Sequence, residues 1–253
     1  LVIGDLLRND FSALRGLVIE GLDVVVAKPQ AAVGLPLAHN LCVLVQTYAD
    51  EFSHAELLQL QTKWPLVPLV LVVGAWSEGE RRSGRALPGI PRVAWHEWGA
   101  YWRAEMASIE LGKLPTWMLP ATASDEERIL AHTHTPSLSG CVVVAADCRD
   151  SRRALTDLFR EYGCRVIATT AADHCSVADA DRVFWDVADA RLLSADAVAQ
   201  LRHRFGNAAI TALVTFPRPE DAALARSLGI EQLVGKPYAA ETLLSQFGHV
   251  RAK

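Results

Sequence analysis

Cys141-Val142-Val143-Val144-Ala145-Ala146-Asp147 is apolar for six residues and then ends on a carboxylate. A half-buried strand would alternate apolar and polar residues. A run without alternation is buried on both faces, as in a parallel sheet held between helices. Downstream, residues 165–169, 182–185, 209–214 and 232–234 read as further strands. Helical segments separate them at 151–162, 194–205, 220–228 and 239–247, and Gly163, Gly206 and Gly229 stop the first three. Strands alternating with helices predict an α/β unit with helices on both faces of a five-stranded parallel sheet.

Upstream, the same order is predicted. Strands fall at 1–3, 23–27, 41–45, 67–73 and 92–95, and helices at 11–21, 53–63 and 100–111. Ser53 with Glu56 three residues on is a capping box. The stretch between the halves contains Pro115, Pro120 and Pro136 and reads as linker, with a short helix at 125–132. The expected organisation is therefore a domain over 1–111, a linker over 112–139 and a second domain over 140–253. The halves also align with each other. Asp147 lies over Asp5 at an offset of 142, and at an offset of 140 Val183-Phe184-Trp185-Asp186 lies over Val43-Leu44-Val45-Gln46, Ala212-Leu213-Val214-Thr215 over Val72-Val73-Gly74-Ala75, and Lys236 over His96. One nearly constant offset across four strands points to a duplication.

Composition narrows the function. The 253 residues are 51% hydrophobic and 21% charged, with a net charge of −4. That is a core-forming composition without the basic field that nucleic acid or an anionic membrane would require. Five cysteines are too few for a disulfide scaffold and read as reduced thiols in a cytoplasmic protein. The longest apolar stretch, 65–76, is broken by Pro68 and Gly74 and falls short of a membrane span. The chain opens on Leu1-Val2-Ile3, a strand rather than a leader, and its lack of an initiator Met points to processing or a fragment. Neither first strand is followed by a Gly-rich phosphate loop, and no Ser-His-Asp or Cys-His arrangement is recoverable, so an enzyme is not expected. His132 and His134 alone do not complete a metal site. Trp95, Trp98, Trp102 and Tyr101 read as packing of a helix on the sheet, with an exposed docking surface as the other reading.

In an open parallel sheet, ligands sit at the carboxyl ends of the strands, near the switch in strand order. In the second half Asp147, Asp186, Thr215 and Lys236 all end strands. With the order 2-1-3-4-5 they share one pocket. Two carboxylates that close repel, and a cation relieves them.

This constellation resembles the receiver domain of two-component response regulators. The clearest stretch is Ala222-Ala223-Leu224-Ala225-Arg226-Ser227-Leu228-Gly229-Ile230-Glu231-Gln232-Leu233-Val234-Gly235-Lys236-Pro237-Tyr238, similar to the family's fourth helix, fifth strand and Lys-Pro motif. Residues 179–186 resemble its third strand with a terminal phosphoacceptor, and the likeness spans about residues 140–250. The resemblance implies two flavodoxin-like domains. It makes Asp186 the phosphoacceptor, Asp147 and Asp186 the ligands of Mg²⁺, Lys236 the partner of the phosphoryl oxygens and Thr215 the switch hydroxyl. It implies a sensor histidine kinase or phosphotransfer protein as donor, a downstream protein partner and a homodimer.

The sequence departs from the family at several positions. Ala146 replaces one of two acidic residues after the first strand, which weakens Mg²⁺ binding. Phe216 stands where a small residue leaves room for the phosphoryl group, and Leu233 where an aromatic switch is expected. The first half departs further: Gln46, Ala75 and His96 occupy the phosphoacceptor, Thr and Lys positions, as in a pseudo-receiver. The alternative is a phosphorylation-independent scaffold for protein–protein interaction or dimerisation. That reading predicts that Phe216 or another side chain fills the pocket. A small-molecule enzyme on the same fold is a third reading.

Overall fold

The structure is a computed structural model that describes residues 1–6, 11, 26–27, 40–77, 90–120, 122–124, 127, 138–173 and 175–247. The chain forms two compact units, Leu1–Thr133 and His134–Lys253. Of the segments expected above, most of the first helix, much of the second strand, most of 125–132, and His132 and His134 lie outside the described residues.

Unit one has strands β1 (Val2–Ile3), β2 (Val26–Ala27), β3 (Cys42–Tyr48), β4 (Leu69–Trp76) and β5 (Arg92–Ala94). All pair in parallel, in the order β2-β1-β3-β4-β5. Helix α1 (His54–Lys63) follows β3, and its Leu57 and Leu60 join Leu44, Leu71 and Trp64 in a core under one face of the sheet. The Ser53–Glu56 capping box forms as expected. Helix α2 (Trp98–Glu110) follows β5 and begins two residues before the expected start. Trp102 stacks between Trp98 (5.6 Å) and Trp117 (5.7 Å), and Trp95 and Trp98 are buried. Trp95 and Trp98 therefore pack in the core, as the packing reading expects, and Trp102 is half-buried. Trp117 sits in a short 3₁₀ turn, Thr116–Met118, tied to α2 by Glu105, whose carboxylate accepts from the Thr116 N–H.

Unit two has β6 (Cys141–Ala146), β7 (Arg165–Thr169), β8 (Arg182–Val187), β9 (Ala209–Thr215) and β10 (Gln232–Lys236). Their order is β10-β9-β8-β6-β7, again all parallel. This is the flavodoxin-like order of unit one read from the other side. Alternate residues of β6 feed two cores. Val142, Val144 and Ala146 meet Leu155 and Phe159 of α3 (Arg149–Glu161) and Leu243 of α6 (Ala240–Leu244). Val143 and Ala145 face the side of Val198, Leu201 and Phe205 of α4 (Ala195–Phe205) and Ala225 of α5 (Pro219–Ser227). This is the two-residue period of a strand used on both faces. The expected helix 239–247 divides into α6 and a 3₁₀ turn, Ser245–Phe247.

A parallel crossover usually contains a helix. Between β7 and β8 the described residues hold turns instead. Arg204 fastens this connection, donating to the Thr169 Oγ1 (2.7 Å), the Thr170 carbonyl (3.3 Å) and the Cys175 carbonyl (3.0 Å). No described helix is long and apolar enough to cross a membrane.

Candidate functional site

Strand register sets the site in unit two. Ala146 pairs with Asp186, Asp186 with Leu213, and Thr215 with Lys236. The residues just before the carboxyl ends of β6, β8 and β9 are apolar (Val142–Ala146, Val183–Trp185 and Ala212–Val214), so Asp147, Asp186 and Thr215 emerge along one edge of the sheet, with Lys236 at the end of β10. The Asp186 side chain is 6% exposed and that of Lys236 24%. Lys236 Nζ donates to Asp186 Oδ1, and also to the Val187 carbonyl at 3.3 Å. A carboxylate this deep needs such a partner, because unpaired charge in a low-dielectric interior is costly. The bond is charge-assisted, the stronger kind. A cis Lys236–Pro237 peptide follows and leads to Tyr238. Burial pushes the Tyr238 hydroxyl up to about 12, and the Asp186 carboxylate adds to the rise.

The other two candidates are placed differently. Asp147 is exposed, and its Oδ1 accepts the Ala171 N–H at 2.9 Å. It is thus held by the connection that Arg204 fastens. The Ala146 carbonyl and the Asp147 carbonyl both accept from Arg152 Nη1, which ties the first turns of α3 to the end of β6. Thr215 is exposed at the tip of β9. Phe216 does not fill the pocket: its φ is 48° and it is 69% exposed, so its ring lies in solvent. Leu233 packs against the α4–α5 core.

Tyr238, Ala171 and Arg152 were not singled out from the sequence. Tyr238 closes the quoted Lys-Pro stretch, which was its only signal. Nothing local marks the other two. Among the described residues no three His, Cys, Asp or Glu side chains form a metal cluster. The oxygen ligands on offer are the carboxylates of Asp147 and Asp186, on adjoining strand ends.

In unit one the register places Gln46 opposite Val73 and Val72 opposite Val93. Gln46, Ala75 and His96 therefore stand level with Asp186, Thr215 and Lys236, as the alignment of the third to fifth strands expects. The first strands align differently. Val2 pairs with Val43, whereas Val143 pairs with Val183. Asp5 therefore stands level with Ala146, one residue short of Asp147, and the pairing of Asp5 with Asp147 is corrected. Gln46 is buried and donates from Nε2 to the Tyr48 carbonyl at 3.0 Å. His96 meets Trp95 edge-on at 5.5 Å.

No family model matches the chain, and no curated protein matches it. Among solved structures the chain is similar to a CheY-like response regulator protein from Mesorhizobium loti, at 16% identity and a TM-score of 0.35, over 42% of this chain and 94% of that one. It is also similar to a two-component system response regulator/GGDEF domain protein, at 15% identity and a TM-score of 0.34, over 97% of this chain and 94% of that one. These likenesses assign no role to any residue.

Proposed function

We propose that unit two is a receiver-type signalling module in which Asp186 accepts a phosphoryl group. One observation carries this reading: the bond from Lys236, the register partner of Thr215, to the buried Asp186. A purely structural ion pair has no need of a hydroxyl at the next strand end, nor of a second carboxylate one residue past the register partner of Asp186.

In the proposed step a carboxylate oxygen of Asp186 attacks phosphorus in line. The new P–O bond forms as the bond to the leaving atom breaks, and that atom keeps the electron pair. The donor is a phosphohistidine on a sensor kinase or phosphotransfer protein, or a small acyl phosphate. Lys236 neutralises the phosphoryl oxygens, and Thr215 hydrogen-bonds to one of them. Two carboxylates fit Mg²⁺, which keeps several waters and is usually bound through one or two carboxylates plus phosphate oxygens. When bound, the ion offsets the negative charge that gathers between donor and acceptor. Asp147 and Asp186 are the residues that would hold it, and Ala146 leaves out a third acidic group, so binding is expected to be weak. A partner protein reads the phosphorylated surface.

A second reading is favoured by Gln46, which cannot form an acyl phosphate. On this reading unit one is a phosphorylation-independent scaffold for a partner or a second copy.

The test is incubation with acetyl phosphate and Mg²⁺, read by intact mass, beside Asp186→Asn. One added phosphoryl mass that vanishes in the variant is the expected result. No added mass, together with no beryllofluoride binding, would sink the phosphoacceptor reading and leave the scaffold.

A further inference from the structure

Helix α3 buries Leu155 and Phe159 against the sheet. Its adjoining flank is built differently. Arg149, Arg152, Arg153 and Arg160 fall on one side of the helix, together with Thr156 and Asp157, because a residue advances the helix by about 100°. They line an open depression of about 330 Å³ that reaches Ala168 on edge strand β7. Arg152 is held by the backbone at the end of β6, and Arg153 lies 3.6 Å from Asp157. Among the described residues no carboxylate pairs with Arg149 or Arg160.

This stripe gives the fold little. Like charges three and four residues apart weaken a helix by a few tenths of a kcal/mol, and Arg149 in the first turn opposes the helix dipole. The acidic and basic residues of 134–253 are equal in number, so the excess of positive charge is local to this flank.

We infer that the α3 flank docks an acidic helix of a partner protein. Three features select that occupant. From Arg149 to Arg160 the stripe runs about 16 Å, three turns of helix, which suits a row of carboxylates rather than one point charge. Guanidinium forks pair carboxylates in two-point geometry. The depression is open, so a small anion would keep its water there, whereas a helix laid along it engages several forks at once. The inference does not depend on phosphorylation of Asp186. It stands if unit two is only a scaffold.

The test uses the full chain and a fluorescein-labelled helical peptide with Glu at every third or fourth position, followed by fluorescence anisotropy. Peptide binding should weaken with salt, since exposed charges are screened. Arg149→Glu with Arg160→Glu should weaken binding by about tenfold or more, while Arg226→Glu on α5 should leave it within about twofold. Circular dichroism and thermal melting verify that each variant is folded, and Arg149→Gln serves if the double reversal is not. Three results would overturn the inference: no peptide binding at low salt, equal loss in Arg226→Glu, or displacement of the peptide by pyrophosphate or duplex DNA at lower concentration than by unlabelled peptide. The last would make the flank a phosphate site.

Discussion

The two units share a frame and differ at its rim. Both sheets have the same strand order, and from the third strand to the fifth their residues stand level up to the register shift after Gln46. At the rim, Asp186, Thr215 and Lys236 of unit two correspond to Gln46, Ala75 and His96 of unit one. One aromatic position is kept: Trp76 stands level with Phe216, and both are well exposed. The frame depends on apolar side chains that many sequences supply, whereas the rim depends on a few polar residues that can change without disturbing it. Unit one has the same strand order with neither the carboxylate nor the ammonium at these positions.

The frame itself can be broken unequally. A Cβ on Gly4, where φ is +134°, would lie 2.4 Å from the Val45 carbonyl oxygen. That oxygen belongs to β3 and cannot retreat. On Gly140, with φ of +122°, the nearest atom is Asp181 Oδ2 at 2.7 Å, the end of a side chain. Gly4→Ala is expected to destabilise unit one by about 3 kcal/mol, and Gly140→Ala to destabilise unit two by about 1–2 kcal/mol. Denaturant unfolding checks this. Six of the seven tryptophans lie in unit one, and Trp185 is the sole one in unit two, so fluorescence reports mainly on the former. Equal losses would mean that β1 and β3 are not packed as closely as described.

The rim can be pushed toward its counterpart. Lys236→Met leaves the carboxylate of Asp186 buried without its cation and is expected to cost about 2 kcal/mol, below the value for a fully buried pair because Lys236 is partly exposed. In an Asp186→Asn background the rim carries an amide, as unit one does with Gln46. There the same substitution should cost well under about 1 kcal/mol. A double-mutant cycle by urea unfolding measures the difference. A cycle that closes at zero would mean the pair contributes nothing and would weaken the case for a site.

The sequence disclosed the frame well, for a physical reason: strands buried on both faces are written as largely apolar runs, and among the described residues each such run is a strand. Ends were less legible. Gly74 reads as a stop, yet β4 passes through it to Trp76, because its pairing with β3 continues after a register shift. Helix α3 starts at Arg149 rather than at 151, since Cys148 and the arginines behind it carry no apolar signal. The first-strand alignment slipped by one because short apolar runs match in any register, and only hydrogen bonding to the neighbour fixes it. At the site, Asp186, Thr215 and Lys236 were legible as polar residues closing apolar strands. The hold of Ala171 on Asp147 was not, because it depends on how a connection 24 residues away folds back.

Tyr238 gives the finest comparison. Counting along from the fifth strands, Trp98 holds its place in unit one, buried and without a proton to lose near this pH. In unit two, burial and then the charge of Asp186 raise the Tyr238 hydroxyl to about 12. Both causes favour the neutral phenol, and an unfolded tyrosine titrates near about 10. The stability tied to this group is therefore fully present below about pH 10 and is lost as pH rises through about 12. Asp186→Asn removes the second cause and leaves the first. The Tyr238 midpoint should then fall but stay above the unfolded value, as read from tyrosinate absorbance with Tyr238→Phe subtracted. An unmoved midpoint would mean that the phenol does not sense the carboxylate, and the rim of unit two would then lack the compact charge cluster that distinguishes it from unit one.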